Sequence, residues 1–211
     1  EGRTGAAEKE PGAGRLTGRA DGEEQRKEYG LAADTWRRAL ESNPPNAPEL
    51  ERKMAMFLIS AERYDDALTA YEDLVGDDPM DADSYLRMSQ LYRQKRDLVK
   101  AREASDKAKA IDPNSIEIKL NETYILQAEG KSSEAIENLR SILQQSQRPT
   151  YTPDQVNGRA QLLEQLAVMQ LLADQTQPAV DSYRQIATLD AARAPHASAG
   201  IIAAYMGAKE F

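Results

Sequence analysis

The sequence predicts an all-α chain built as an array of repeated helix pairs, and three observations carry that expectation. The half-helix ALTAYEDLVGDDP at 67–79 is echoed by AREASDKAKAIDP at 101–113 and by AADTWRRALESNP at 32–44, with looser echoes beginning at Ala135 and Ala179. The tighter echoes lie 34 or 35 residues apart, a spacing that suits one helix–turn–helix unit. From Glu23 onward apolar residues recur at three- and four-residue spacing, with few interior glycines and no β-branched runs, so no strand is expected. The stops are regular too. Asn43-Pro44, Asp78-Pro79 and Asp112-Pro113 close three of the echoes, because the residue before a proline is pushed out of the α region.

Taken in order, the elements follow from local chemistry. Residues 1–22 hold six of the twelve glycines, alternating charges and one large aliphatic residue, Leu16, and are expected to be poorly ordered or linker-like. The helical array is expected over 23–211. Asn46 with Glu49, and Asn114 with Glu117, have the spacing of a capping box, and Asp81 is the corresponding start in the unit between them. Ala179 follows Ala135 by 44 residues, ten more than the period, so an insertion is expected over 148–159. Thr152-Pro153-Asp154-Gln155 then opens a helix running to about Ala173, its first turns projecting roughly 10 Å past its counterparts at ~1.5 Å per residue. HASAGIIAAYMGAKEF, residues 196–211, reads as the first helix of a further unit, with Ile201, Ile202, Tyr205 and Met206 on its apolar positions. Its outer side is expected either to stay open and drive weak homodimerisation or to be tucked onto the preceding unit as a cap.

Composition narrows the function. In 211 residues, 27 Lys and Arg face 35 Asp and Glu, a net charge of −8 that repels phosphate backbones, so no nucleic acid is expected as partner. With no cysteine there is no disulfide framework, thiolate nucleophile or Cys-based zinc site. The longest nearly apolar run, SAGIIAAYMGA at 198–208, is well short of the ~20 residues a transmembrane helix needs. The chain opens with Glu1 and not Met, which leaves a leader or upstream region to be expected outside it and leaves the compartment open.

Within the echoes, Ala32 to Trp36, Ala67 to Tyr71 and Ala179 to Tyr183 repeat the pattern A-x-x-x-aromatic, with Ser105 and Leu139 replacing the ring after Ala101 and Ala135. A methyl at the alanine lets two antiparallel helices approach, and one turn later a large side chain fills the space where they splay. The preceding helices supply Met54, Ala55 and Leu58, then Tyr85, Met88 and Tyr92, to face the partner helix. This unit, closed by proline, resembles the tetratricopeptide repeat. Aligned on alanine at the twentieth position, the repeats run over about 13–47, 48–81, 82–115, 116–149 and 160–194, with a partial one from 195 to 211. The family's tryptophan at the fourth position is Glu51, Tyr85, Lys119 and Leu163 here, and its small residue at the eighth is Ala55, Ser89, Thr123 and Ala167.

The resemblance implies a right-handed α-solenoid whose first helices line a concave groove. Carried over by repeat position, the groove holds Arg52, Met56, Ile59, Leu86, Gln90, Arg93, Gln94, Leu120, Tyr124, Gln127, Val168, Leu171 and Leu172. That stripe is more apolar than a solvated face requires, which points to a protein or peptide partner. Relatives that clamp a C-terminal carboxylate do so from positions occupied here by Arg52, Met56, Arg87, Glu117 and Asn121, a set that Glu117 spoils by repulsion. Asp77, Asp78, Asp81 and Asp83 lack the glycine and the closing glutamate of a calcium loop and read as a helix-capping turn. His196 is the one histidine and is expected at a cap or the surface, and Trp36 and the repeat tyrosines in the core. No glycine-rich phosphate loop, nucleophile elbow or metal triad occurs, so no enzyme activity, metal or cofactor is expected. The function expected is therefore a non-enzymatic interaction scaffold, with a scaffold fragment of a larger enzyme or secretion-type assembly, or a self-assembling array, as alternatives.

Overall fold

The computed structural model describes residues 13–207 of the chain. Among them are eleven α-helices and no strand: α1 (Ala13–Gln25), α2 (Tyr29–Leu40), α3 (Ala47–Ser60), α4 (Tyr64–Asp77), α5 (Ala82–Gln94), α6 (Leu98–Ile111), α7 (Ile116–Ala128), α8 (Ser132–Gln145), α9 (Pro153–Leu172), α10 (Thr176–Leu189) and α11 (Ala194–Gly207). A single 3-10 turn, Ala191–Arg193, joins the last two. The chain divides into two compact units, Glu1–Ile111 and Asp112–Phe211, the first containing α1 to α6 and the second α7 to α11. Inside each unit every helix packs on the next one in the chain, the nearest-neighbour stacking of a solenoid.

Small side chains set the helix crossings. Ala32, Ala67, Ala101, Ala135 and Ala179, at the twentieth position of each repeat, are fully buried, and so are Ala20, Ala55, Ser89, Thr123 and Ala167 at the eighth. Ser89 shows how a polar residue is tolerated there: its hydroxyl donates to the Ala101 carbonyl at 2.6 Å, across the helix pair. One turn after each alanine, Trp36, Tyr71, Ser105, Leu139 and Tyr183 are buried as the spacing predicts. In the first unit Trp36, Leu58, Tyr71 and Leu74 form the centre of the core. In the second, Leu139, Ile142, Leu163, Leu166 and Ile186 do so.

The turns inside the helix pairs share one device that no sequence motif announces. Lys27, Glu62, Arg96, Gly130 and Asp174 all sit in the left-handed region, with φ between 57° and 76°, and all hold the fifteenth repeat position. The amide of the residue after each one bonds back to a carbonyl five residues earlier, as in Arg63 to Leu58 at 2.8 Å and Lys131 to Leu126 at 2.9 Å. That bond satisfies an orphan carbonyl at the end of the first helix and sets the reversal into the second.

The breaks fall where proline places them: α2, α4 and α6 end at Leu40, Asp77 and Ile111. Asp81 caps α5 by accepting from the Ser84 amide, so the acidic turn is a capping turn as expected. Thr152 and Gln155 complete a full capping box, and α9 runs for 20 residues against 13 in α5 and α7. Two other starts differ. Asn46 forms no side-chain cap on α3, and α7 is capped by Ser115, whose hydroxyl accepts from the Ile118 amide, while Asn114 lies outside the helix. An aspartate is responsible: Asp112 Oδ1 accepts from the amides of Asn114 and Ser115, holding the turn one residue longer.

The N-terminal segment also differs from expectation, since α1 begins at Ala13 while order was expected only from 23. Leu16 and Ala20 enter the core of the first unit. The buried Glu23 carboxylate accepts from Thr35 Oγ1 and from Arg19 Nε, both at 2.7 Å, which ties α1 to α2. Burial raises the Glu23 pKa, but the bonds from Thr35 and Arg19 outweigh it and hold the carboxyl below its ordinary range. The part of the expectation that concerns residues 1–12 lies outside the described residues.

Candidate partner-binding groove

The first helices of the repeats present the candidate groove residues in two sets. In the first unit these lie on α3 and α5, in the second on α7 and α9. On α3, Met56 is 60% exposed, while Ile59 is half-buried and packed on the core. Arg52 is not available as a free cation: its Nη2 donates to Asp81 Oδ2 at 2.7 Å, joining α3 to the start of α5. The Asp81 carboxylate also accepts from the Ser84 hydroxyl at 2.6 Å. Burial pushes its pKa up, yet the bonds from Ser84 and Arg52 bring it below its usual value.

On α5 the assignment needs a correction. Leu86 is 2% exposed and belongs to the interior, so it cannot line an open surface. Next to it Tyr85 is half-buried and packed on the core, with Lys107 of α6 over its ring. Gln90 and Arg93 are half-buried and Gln94 is exposed. Gln90 Oε1 accepts from Arg87 Nη1 at 3.1 Å.

In the second unit, Leu120 on α7 and Leu171 on α9 are half-buried and rest on the core cluster, which makes them the floor of the surface and not its lip. Tyr124 is half-buried and Gln127 exposed. Val168 and Leu172, four residues apart on α9, are the open apolar pair, with Leu172 74% exposed. Ile202, Tyr205 and Met206 on α11 are likewise exposed, while Ile201 is tucked against the core. His196 lies on the surface with Nε2 at 2.7 Å from Glu164 Oε1, so it ties α11 to α9. Among the described residues no group of three or more His, Cys, Asp and Glu could hold a metal ion, and no helix is long and apolar enough to cross a membrane.

Comparison with known proteins agrees with this architecture. Residues 52–116 match the family model of the tetratricopeptide repeat. No curated protein matches the chain significantly in sequence. Solved structures similar to it include MamA from Desulfovibrio magneticus RS-1, with a TM-score of 0.69 and 12% identity over 86% of this chain and 96% of that one. A thermophilic tetratricopeptide-repeat protein of Thermus thermophilus is similar with a TM-score of 0.59 and 18% identity, over 90% of this chain and 99% of the other. Another, from Parabacteroides merdae, gives 0.60 and 13% over 92% and 84%. At such identities the likeness establishes the fold alone. Solenoids of this kind are generally protein–protein interaction scaffolds and generally not catalysts.

Proposed function

We propose that this chain of tetratricopeptide repeats is a non-catalytic scaffold whose first helices bind an apolar segment of a partner protein. The observation that supports the reading is the open pair Val168 and Leu172 on α9, with half-buried Tyr124 and exposed Gln127 on α7 of the same unit. Large aliphatic side chains left in water on successive turns of one face offer area that a partner would cover at ~25 cal/mol per Å². The exposed Gln127 amide on α7 supplies donors and an acceptor for a peptide backbone. Met56 on α3 offers an equivalent anchor in the first unit. The net charge of −8 favours a protein partner over nucleic acid.

The test compares proteins captured by wild type and by Leu172→Asp from the source cell, identified by mass spectrometry and reconstituted one by one. Leu172→Asp is expected to lose its partner while keeping its helical signal and melting temperature, since exposed changes shift stability by no more than about 0.5 kcal/mol. A reconstituted partner that binds both proteins equally would refute the groove reading.

A second reading is supported by α11, whose Ile202, Tyr205 and Met206 form an exposed apolar edge. This edge pairs with its equivalent on a second copy as a weak isologous dimer. Sedimentation over a hundredfold dilution should then show a dimer dissociating and Ile202→Glu monomeric throughout. A wild-type chain that is monomeric at every concentration would remove this reading.

A further inference from the structure

Two clefts at the same address in the repeat are filled in different ways. The first lies between α5, which makes the floor, and α6, and the second between α9, which makes the floor, and both α8 and α10. Counting the repeats from residues 82 and 160, Tyr85, Met88 and Tyr92 on α5 hold the same positions as Leu163, Leu166 and Gln170 on α9. On the adjoining wall, Lys100 and Lys107 of α6 correspond to Pro178 and Gln185 of α10.

In the first unit the chain closes its own cleft. The rings of Tyr85 and Tyr92 occupy it, and Lys107 and Lys100 lie over them with Nζ at 5.2 and 5.4 Å from the ring centroids. The Tyr92 hydroxyl donates to Glu72 Oε1 on α4 at 3.1 Å, fastening the ring to the preceding second helix. About 200 Å³ of space remains.

In the second unit both rings are missing. Gln170, 2% exposed, keeps only the polar end of the arrangement. With its amide nitrogen turned toward α10 it donates to Ser182 Oγ at 2.8 Å and to the Pro178 carbonyl at 3.1 Å, and its oxygen accepts from Arg140 Nη2 at 3.2 Å. Arg140 on α8 holds the repeat position that Glu72 holds on α4. The fastening to the preceding helix is therefore retained while the ring that filled the cleft is gone, and the space opens to about 420 Å³.

We infer that this cleft between α8 and α10 is a socket for an aromatic side chain, tryptophan or tyrosine, carried on a segment of a partner protein. The first unit shows what fits this address: a ring lying on apolar residues with a cation beside it. Buried Leu143, Leu163 and Leu166 supply the apolar bed. Two cations border it as Lys100 and Lys107 border the first cleft: Arg140 on the wall, which bonds the Gln170 oxygen, and Arg159 at the start of the floor, which donates to the Leu143 carbonyl at 2.8 Å and lies 5.4 Å from the centroid of the Tyr151 ring. Exposed Gln144 and Gln185 at the rim present both donors and acceptors to the backbone on either side of that ring. A volume of a few hundred Å³ is the size of a ligand site. The socket stands apart from Val168 and Leu172, and the groove reading can fail without affecting it.

The test is a titration of the full chain, labelled at leucine methyl groups, with N-acetyltryptophanamide and, as control, N-acetylleucinamide. The aromatic amide is expected to shift the Leu143, Leu163 and Leu166 methyl resonances saturably by ring current, with an affinity severalfold above that of the leucine analogue. Leu163→Trp fills the bed from within and Gln185→Phe blocks the rim from an exposed position that does not carry the fold. Loss of the saturable shifts in either folded variant supports the socket. Equal affinity for the two amides, no saturable shift at these three leucines, or unchanged binding in Gln185→Phe would overturn it.

Discussion

Replacing Gly200 by alanine should destabilise the protein although it improves the helix. Gly200 lies inside α11, where alanine is favoured over glycine by about 1 kcal/mol. A Cβ at this position would stand 2.5, 2.6 and 2.8 Å from Cε1, Cζ and Cδ1 of Tyr183. Carbon atoms in favourable contact are about 3.5–4.0 Å apart, so the ring or the helix must give by roughly 1 Å. Tyr183 is buried between α10 and its neighbours and has little room to retreat. Overpacking of this kind costs about 1–3 kcal/mol, which exceeds the propensity gain and leaves a net loss of about 1 kcal/mol. Gly158, inside α9, is the internal control: a Cβ there meets no atom within 4 Å, so Gly158→Ala should gain about 0.5–1 kcal/mol. Urea unfolding followed by circular dichroism separates the two variants. In a Tyr183→Leu background the Gly200→Ala penalty should disappear, because the colliding ring is gone. Equal stabilisation by both glycine substitutions would refute the close approach of α11 to α10.

Three further outcomes are expected. Ala67→Leu, at a fully buried helix crossing, should lower stability by about 1–3 kcal/mol in the same assay, although leucine is itself a good helix former. Gly130→Ala should lower stability by about 1 kcal/mol with no clash, since φ is +76° and nothing lies within 4 Å; a differential scan that shows no change would mean this turn is not left-handed. Acid should weaken the first unit. Glu23 and Asp81 have depressed pKa values in the fold, so their stabilisation is complete above the ordinary carboxylate range, about 4, and is lost as pH falls through the folded values. Glu51, whose carboxyl is pushed up by burial and by Asp77 and Asp73, runs the other way and gains on protonation. Asp81→Asn should cost about 1–3 kcal/mol near neutral pH and flatten the acid limb, read from urea midpoints across pH.

The fold was legible because its determinants recur. Alanine at the twentieth position, the large side chain four residues later and the proline at the unit's end each appear several times in one phase, so an error in any one repeat is corrected by the others. The left-handed fifteenth position is just as regular in the backbone, but Lys27, Glu62, Arg96 and Asp174 carry no sign of it in their side chains, and Gly130 alone would not establish a pattern. The order of α1 was hidden for a related reason. Glycines 14, 18 and 22 and the surrounding charges suggested a solvated linker, while the fact that Glu23 would be satisfied by Thr35, twelve residues away, is a long-range matter that composition cannot express. The groove was less legible still, because a one-position change of helix rotation moves a side chain from lip to floor: Leu86 went inside, and Leu120 and Leu171 came to rest on the core.

In a repeat chain the positions that never vary specify the fold, and those that vary within a fixed frame distinguish one repeat from another. The eleventh position is the clearest case. It is Glu23, Leu58, Tyr92 and Gln170 in the repeats on α1, α3, α5 and α9, and two of these make the same polar bridge within their own helix pair, Glu23 with Thr35 and Gln170 with Ser182. A glutamate or glutamine there satisfies its partner on the second helix but leaves unfilled the volume that a tyrosine ring takes. Whether an open cleft results depends on a further condition, a preceding second helix to form the opposite wall. Among the described residues α1 has none, and the polar eleventh residue of its repeat serves only to fasten the helix pair. α9 has α8 in front of it, and the same substitution there leaves a walled space with an apolar floor. A polar side chain of the same length at the same repeat position, Glu23 or Gln170, is therefore a fastening alone on α1 and a fastening that also borders an open cleft on α9.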